Sequence, residues 1–244
     1  MAKRKTKTTT EQAGDQFIKS NWDNFNLDYN IEFPFELNHV HKSFVGVMMD
    51  SKTKMLFVNG PAGTAKTYLA VYGALQLLQK HNVEEIVYIR SVVESASQKM
   101  GSLPGEVEDK FLPWSMPLIE KLDELIGIPK RKILMDKNVV HCVPVNFVRG
   151  LTFNDSVVIV DEAQNLTKGE LITILTRFGT NSKFIVVGDS KQADIHDRSG
   201  FYPVMNCFNN KASEEENIFT FEFGESEIVR SEILRFIVKQ LEQL

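Results

Sequence analysis

From Met55 onward the chain alternates short apolar runs with stretches of helical period, the pattern of an α/β fold in which helices cover both faces of a mostly parallel sheet. Runs rich in Val, Ile and Phe, mostly bounded by Gly, Asp or Asn, predict strands at Met55–Val58, Ile86–Arg90, Val139–Val143, Val157–Val160, Phe184–Val187 and Ile218–Phe223. Helices are expected between them at Lys66–Gln79, at Val107–Leu125 behind Pro104 and Gly105, at Lys168–Phe178 behind the cap Thr167, and at Glu227–Leu241 behind the cap Ser226. Residues 1–30 carry few, widely spaced apolar positions and read as a basic polar tail and lead-in, leaving residues 31–244 as a single domain. Asn209–Asn217, with Glu214, Glu215 and Glu216 in a row, reads as a solvated loop before the last strand.

The 244 residues, 43% hydrophobic and 25% charged, suit one globular domain and disfavour collagen-like or wholly disordered chains. The densest apolar run, Phe44–Met49, is interrupted by Gly46 and falls far short of the ~20 residues a membrane helix needs. The basic start runs into threonines rather than an apolar stretch, so no secretory leader is expected and the chain is placed in the cytoplasm, with no membrane partner. Cys142 and Cys207 lack CxxC spacing and are expected as reduced core residues. His39 and His41 alternate, but no cluster with zinc-ligand spacing follows. With 28 basic and 32 acidic side chains the net charge is −4; setting aside the four basic residues at positions 3, 4, 5 and 7 leaves −8. An acidic body argues against uniform wrapping by nucleic acid and leaves room only for a local basic groove.

Chemistry concentrates in three loops. Gly60-Pro61-Ala62-Gly63-Thr64-Ala65-Lys66-Thr67 stands between the first strand and a helix that continues with Tyr68. Such a loop turns backbone N–H groups inward at a helix N-terminus and gathers phosphates. Lys66 would reach the β and γ phosphates and the Thr67 hydroxyl would hold Mg²⁺. The usual pattern has a second glycine where this chain has Ala65. The apolar run Val157–Val160 ends in Asp161 and Glu162, placing two acids at a strand's carboxyl end, where parallel sheets bind ligands. Asp161 is positioned for Mg²⁺, and Glu162 to orient or deprotonate the attacking water. The third loop, Gly188-Asp189-Ser190-Lys191-Gln192, follows another apolar strand; Gln192 is a candidate to sense the γ-phosphate, although an ordinary polar turn reads equally well.

With these loops in this order, the chain resembles the PhoH-like family of ATPases, themselves similar to the first motor domain of superfamily one helicases. The resemblance runs from about Phe33 to Leu234. It rests further on Arg90 with Val93, Glu94 and Gly101–Gly105; Arg149-Gly150 with Thr152 and Asn154-Asp155; Asp161–Asn165; Leu175–Gly179; Gly188-Asp189 with Gln192 and Asp194; and Val229-Arg230. It implies a RecA-like P-loop NTPase core, Mg²⁺-dependent ATP hydrolysis, a cytoplasmic location and ring-like oligomers, with hexamers favoured. Where the family commonly has a glutamine three residues before an aromatic, able to read the adenine edge, this chain has His41 before Phe44. The family's second arginine, two positions after Arg149, is Leu151 here.

A second motor domain is not expected in the remaining sequence, so a neighbouring subunit is expected to close the ATP site with an arginine; Arg177, Arg230 and Arg149 are the candidates, although for any one alone a surface or salt-bridged role is the commoner reading. The loop Ser91–Gly101, with its serines, Gln98 and Lys99, offers small polar groups to a single strand, and Arg90 is expected to end the strand beside the phosphate loop. Three functions stay open: an ATP-driven oligomer that binds or remodels RNA or single-stranded DNA; an NTPase switch acting on protein partners; and a nucleotide-binding scaffold without turnover, suggested by Ala65.

Overall fold

The structure, a computed structural model, describes residues 35–91 and 107–229 with helical positions 233, 236, 237 and 240; side-chain surroundings are described from residue 114 in the second stretch. The tail and lead-in expected over residues 1–30, Lys99 with most of the Ser91–Gly101 loop, and Arg230 lie outside these residues.

Six strands form one sheet in the order β3-β2-β4-β5-β1-β6, every pair parallel. They are β1 (Met55–Asn59), β2 (Glu85–Arg90), β3 (Val140–Pro144), β4 (Ser156–Asp161), β5 (Lys183–Gly188) and β6 (Ile218–Glu222). Each lies within a residue or two of its expected place, because a fully buried parallel strand must be apolar on both faces. β1, β4 and β5 are buried along their whole length, whereas the edge strands β3 and β6 are mostly half-buried. The strand order corrects one expectation. β2, which ends at Arg90, does not flank the phosphate-loop strand; β4 and β5 lie between them, and Arg90 is instead in register with Asp161 of β4.

The helices are α1 (His39–Met49), α2 (Lys66–Gln79), α3 (Val107–Ile126), α4 (Ile128–Asp136), α5 (Lys168–Leu175), α6 (Phe201–Phe208) and α7 (Lys211–Glu215). α2 spans the expected residues and buries nine of its side chains or backbone positions, among them Leu69, Leu75 and Leu78. α1 crosses it at Gly73, where any Cβ would collide with the Met48 side chain. α5 begins at its expected cap, since Thr167 accepts from the Glu170 N–H while the Glu170 carboxylate takes the Thr167 N–H. It ends three residues early because the Arg177 carbonyl is claimed by the Phe153 N–H and the Phe178 ring packs 5.3 Å from Phe184.

Two further expectations are corrected. Glu225–Glu227 forms a 3₁₀ turn in which the Glu227 carboxylate takes the Gly224 N–H, and Ser226 donates to Glu227 instead of capping a helix; Ile228 and Val229 are non-helical. The loop expected at Asn209–Asn217 contains α7, which starts where the Asn210 side chain accepts from the Ser213 N–H. Of the two thiols, Cys142 is partly buried, which pushes it up to about 12, while Cys207 is exposed rather than in the core. Among the described residues no helix is long and apolar enough to cross a membrane.

Candidate active site

Three loops leave the carboxyl ends of β1, β4 and β5 side by side and enclose a cleft of about 510 Å³. The first is Gly60–Thr67, as expected. Gly60 starts it against Phe223, whose Cβ and carbonyl oxygen would lie 2.7 Å from an added Cβ, so only glycine lets the loop pass this close to the end of β6. Its N–H donates to the Gly188 carbonyl, 3.2 Å away, tying the first loop to the third. Ala65 takes left-handed backbone angles, φ +60° and ψ +19°, directly before α2. Lys66 folds back over the loop, its Nζ donating to the carbonyls of Gly60 and, at 2.8 Å, Pro61. Burial pulls its pKa down, against the opposing pull of Asp189, Glu162 and Asp161.

Thr67 donates its hydroxyl to Asp161 Oδ1 at 2.8 Å, so the two residues expected to hold a metal meet across α2 and β4. Tyr88, from β2, donates to the other Asp161 oxygen. Asp161 is 3% exposed, and these two hydroxyls satisfy the carboxylate inside the protein. Burial and Asp161 push the Tyr88 phenol far above its ordinary value, keeping it a donor. Nothing in the sequence pointed to Tyr88 beyond a strand-core aromatic.

Glu162 leaves β4 with left-handed backbone angles, φ +52° and ψ +41°. One of its oxygens accepts from Gln164 Nε2 at 2.6 Å; the other faces Arg90 Nη2 at 3.7 Å. Gln164 is buried, and its Oε1 accepts from the Asp189 N–H at 3.0 Å. One amide thus bridges the second and third loops, a role the sequence reading did not assign although Gln164 lies in the stretch behind the resemblance. Gln192 is exposed at the lip of the cleft. Tyr68 lies at the wall beyond Thr67, with Phe35 edge-on at 5.2 Å and Lys121 Nζ 5.8 Å from its ring centre; burial and Glu124 push its phenol up to about 12.

His41 is placed differently from expectation. It is 1% exposed, its Nδ1 accepts from the Asn38 N–H, and its Nε2 lies 3.2 Å from the Thr64 carbonyl. With Nδ1 accepting, the proton sits on Nε2, which donates to Thr64 and braces the phosphate loop from behind. Both ring nitrogens are spent, so none remains to read a base edge. Burial pulls the imidazole pKa down, partly offset by the Thr64 carbonyl and Glu227. Arg177 is at the other end of the sheet from the cleft, beside Phe153, which precedes β4. Arg149 is exposed beyond the carboxyl end of the edge strand β3.

The family model for PhoH-like proteins matches residues 37–242, most of the chain. The chain belongs to the PhoH-like family. A PhoH-like protein of Bacillus subtilis is 32% identical over 198 residues, 81% of this chain and 60% of its own length. A PhoH-like protein of Mycobacterium tuberculosis is 35% identical over 195 residues, 78% of this chain and 53% of its own. Protein PhoH of Escherichia coli is 32% identical over 180 residues, 73% of this chain and 50% of its own. This PhoH-like chain therefore spans about half to three-fifths of these relatives' length. Among solved structures, the Pif1 helicase from Candida albicans aligns over 78% of this chain and 40% of its own, at 17% identity and a TM-score of 0.37. In the PhoH-like sheet one strand, β5, is set between the phosphate-loop strand and the strand bearing the two acids.

Proposed function

We propose that this chain hydrolyses ATP with Mg²⁺ and couples the reaction to binding or remodelling of RNA or single-stranded DNA, as a ring of identical subunits in the cytoplasm. The convergence of Thr67 and Asp161 at 2.8 Å beneath a phosphate loop carries the ATPase reading, because two hard oxygens, one at a helix N-terminus and one at a strand end, would suit Mg²⁺ beside a bound phosphate. The fit extends to Lys66, whose ammonium already rests on two loop carbonyls and would exchange them for β and γ phosphate oxygens. When bound, Mg²⁺ neutralises charge developing between those phosphates. Glu162 accepts the proton of the attacking water, Gln164 fixes that carboxylate against the third loop, and Gln192 at the lip contacts the γ-phosphate.

Lys66→Ala removes ground-state phosphate binding, whereas Glu162→Gln keeps binding and lowers turnover by about 10²-fold or more. Phosphate release and equilibrium binding of a labelled ATP, measured side by side, check this; a Glu162→Gln variant hydrolysing at the wild-type rate would remove Glu162 from the chemistry. A switch acting on protein partners is the second reading, favoured by the net −8 of the chain outside its first ten residues. Phosphate release with and without single-stranded RNA and DNA separates the two.

A further inference from the structure

Behind Glu162 lies a second cavity of about 600 Å³, lined by Arg90 at the end of β2, Asn165, Lys191, Asp194 and His196. Glu162, Gln164 and Gln192 line both this groove and the nucleotide cleft, and so form the wall between them. Hydrogen bonds tie the groove's three sides together. Ser91 Oγ donates to the Asn165 carbonyl at 2.8 Å, Asn165 Nδ2 donates to Asp194 at 2.9 Å, and the Asp194 N–H returns a bond to Asn165 Oδ1 at 2.8 Å. Asp194 is thus held by Asn165, while Arg90, Lys191 and His196 supply donors to the same space.

We propose that this groove binds the phosphodiester backbone of a single-stranded nucleic acid, and that a phosphate oxygen taking Arg90 frees Glu162 for the attacking water. The proposal rests on the nucleic-acid-coupled ATPase reading given above. Without nucleic acid both Glu162 oxygens are engaged, one by Gln164 and the other by Arg90. The arginine pair spans 3.7 Å with side chains 27% and 41% exposed, so solvent screens it and it holds weakly. A phosphodiester offers the guanidinium two oxygens in a fork geometry and competes effectively for it. Release from Arg90 then leaves a Glu162 oxygen to accept from water while Gln164 keeps the carboxylate in place. Occupancy of the groove is thereby read at the nucleotide site through one side chain, without movement of a domain.

The test is steady-state phosphate release at low salt, titrated with oligouridylate and oligothymidylate, for wild type, Arg90→Ala, Arg90→Gln and Lys191→Ala, with oligonucleotide binding measured by anisotropy. Arg90→Gln keeps the stem and a polar head and decides the matter where Arg90→Ala folds poorly. Wild type is expected to be stimulated. Both Arg90 variants are expected to turn over about two- to five-fold faster without nucleic acid, the range set by loss of an exposed ion pair, and to gain little from it. Lys191→Ala is expected to need more oligonucleotide for half-maximal stimulation. A stimulated wild type beside folded Arg90 variants with unchanged or lower basal rates overturns the switch and leaves nucleic-acid coupling standing. A wild type that neither binds nor responds to either oligonucleotide overturns both.

Discussion

At the N-terminus of α2, Ala65 holds the phosphate loop in a left-handed conformation that costs a residue with a Cβ about 1–2 kcal/mol and glycine nothing comparable. Glycine at this position would return about 0.4–1 kcal/mol through the freer unfolded chain. Ala65→Gly is therefore expected to stabilise the protein by about 0.5–1 kcal/mol in a denaturant melt. Equal or lower stability would show that the loop relieves the strain in some other way. The missing glycine was visible in the sequence, and so was the gathering of Lys66, Thr67, Asp161 and Glu162 at one cleft, because each stands at a fixed offset from a strand. Gln164, Tyr88 and His41 were not legible in this way. Gln164 acts by bonding an N–H 25 residues away, Tyr88 through a carboxylate 73 residues away, and His41 through the Thr64 carbonyl 23 residues away. Such roles exist only once the loops are juxtaposed.

Among the elements, β5 and α1 are joined by a lysine. Lys183 opens the fully buried β5 and donates to the carbonyls of Met48 and, at 2.7 Å, Asp50, where α1 ends. Desolvation pulls its pKa down from 10.5 to about 8, with Asp50 opposing. The unfolded chain accordingly binds more protons than the folded one between about pH 8 and 10.5, and stability from this group rises with pH across that window. The expected result is a wild-type minus Lys183→Met stability difference that increases from pH 7.5 toward pH 10 on the order of the window above; a flat difference would show that the ammonium is not desolvated. All six strands and α2 could be read from apolar runs and a loop signal. α1 could not, since its buried positions His41, Phe44 and Met48 include a histidine whose burial depends on Asn38 and Thr64. Strand order was equally hidden: periodicity places a strand on a sheet without naming its neighbours, which is why Arg90 came to rest beside Asp161 and not beside the phosphate loop.

For the whole molecule, the cleft is bounded by loops of one subunit and the described arginines proposed as fingers do not reach it from within. Arg177 lies at the opposite end of the sheet, and Arg149 stands beyond the edge strand β3. Either residue can serve a nucleotide only in a neighbour, and a head-to-tail contact that repeats around a closed ring supplies one such arginine to every cleft. An arginine supplied in trans is worth about 10³–10⁵ in rate, so hydrolysis per subunit is expected to fall steeply as the protein is diluted below its assembly concentration. Complementation locates the donor. Lys66→Ala subunits lack the phosphate lysine but keep the arginine, and Arg177→Ala or Arg230→Ala subunits have the reverse. In an equal mixture about a quarter of the interfaces join an intact phosphate loop to an intact arginine, so activity should recover to about that fraction of wild type although each parent alone is nearly inactive. Recovery with one arginine variant and not the other names the finger. A mixture that only averages its parents, from protein whose specific activity does not change with concentration, would place the whole reaction within a single subunit.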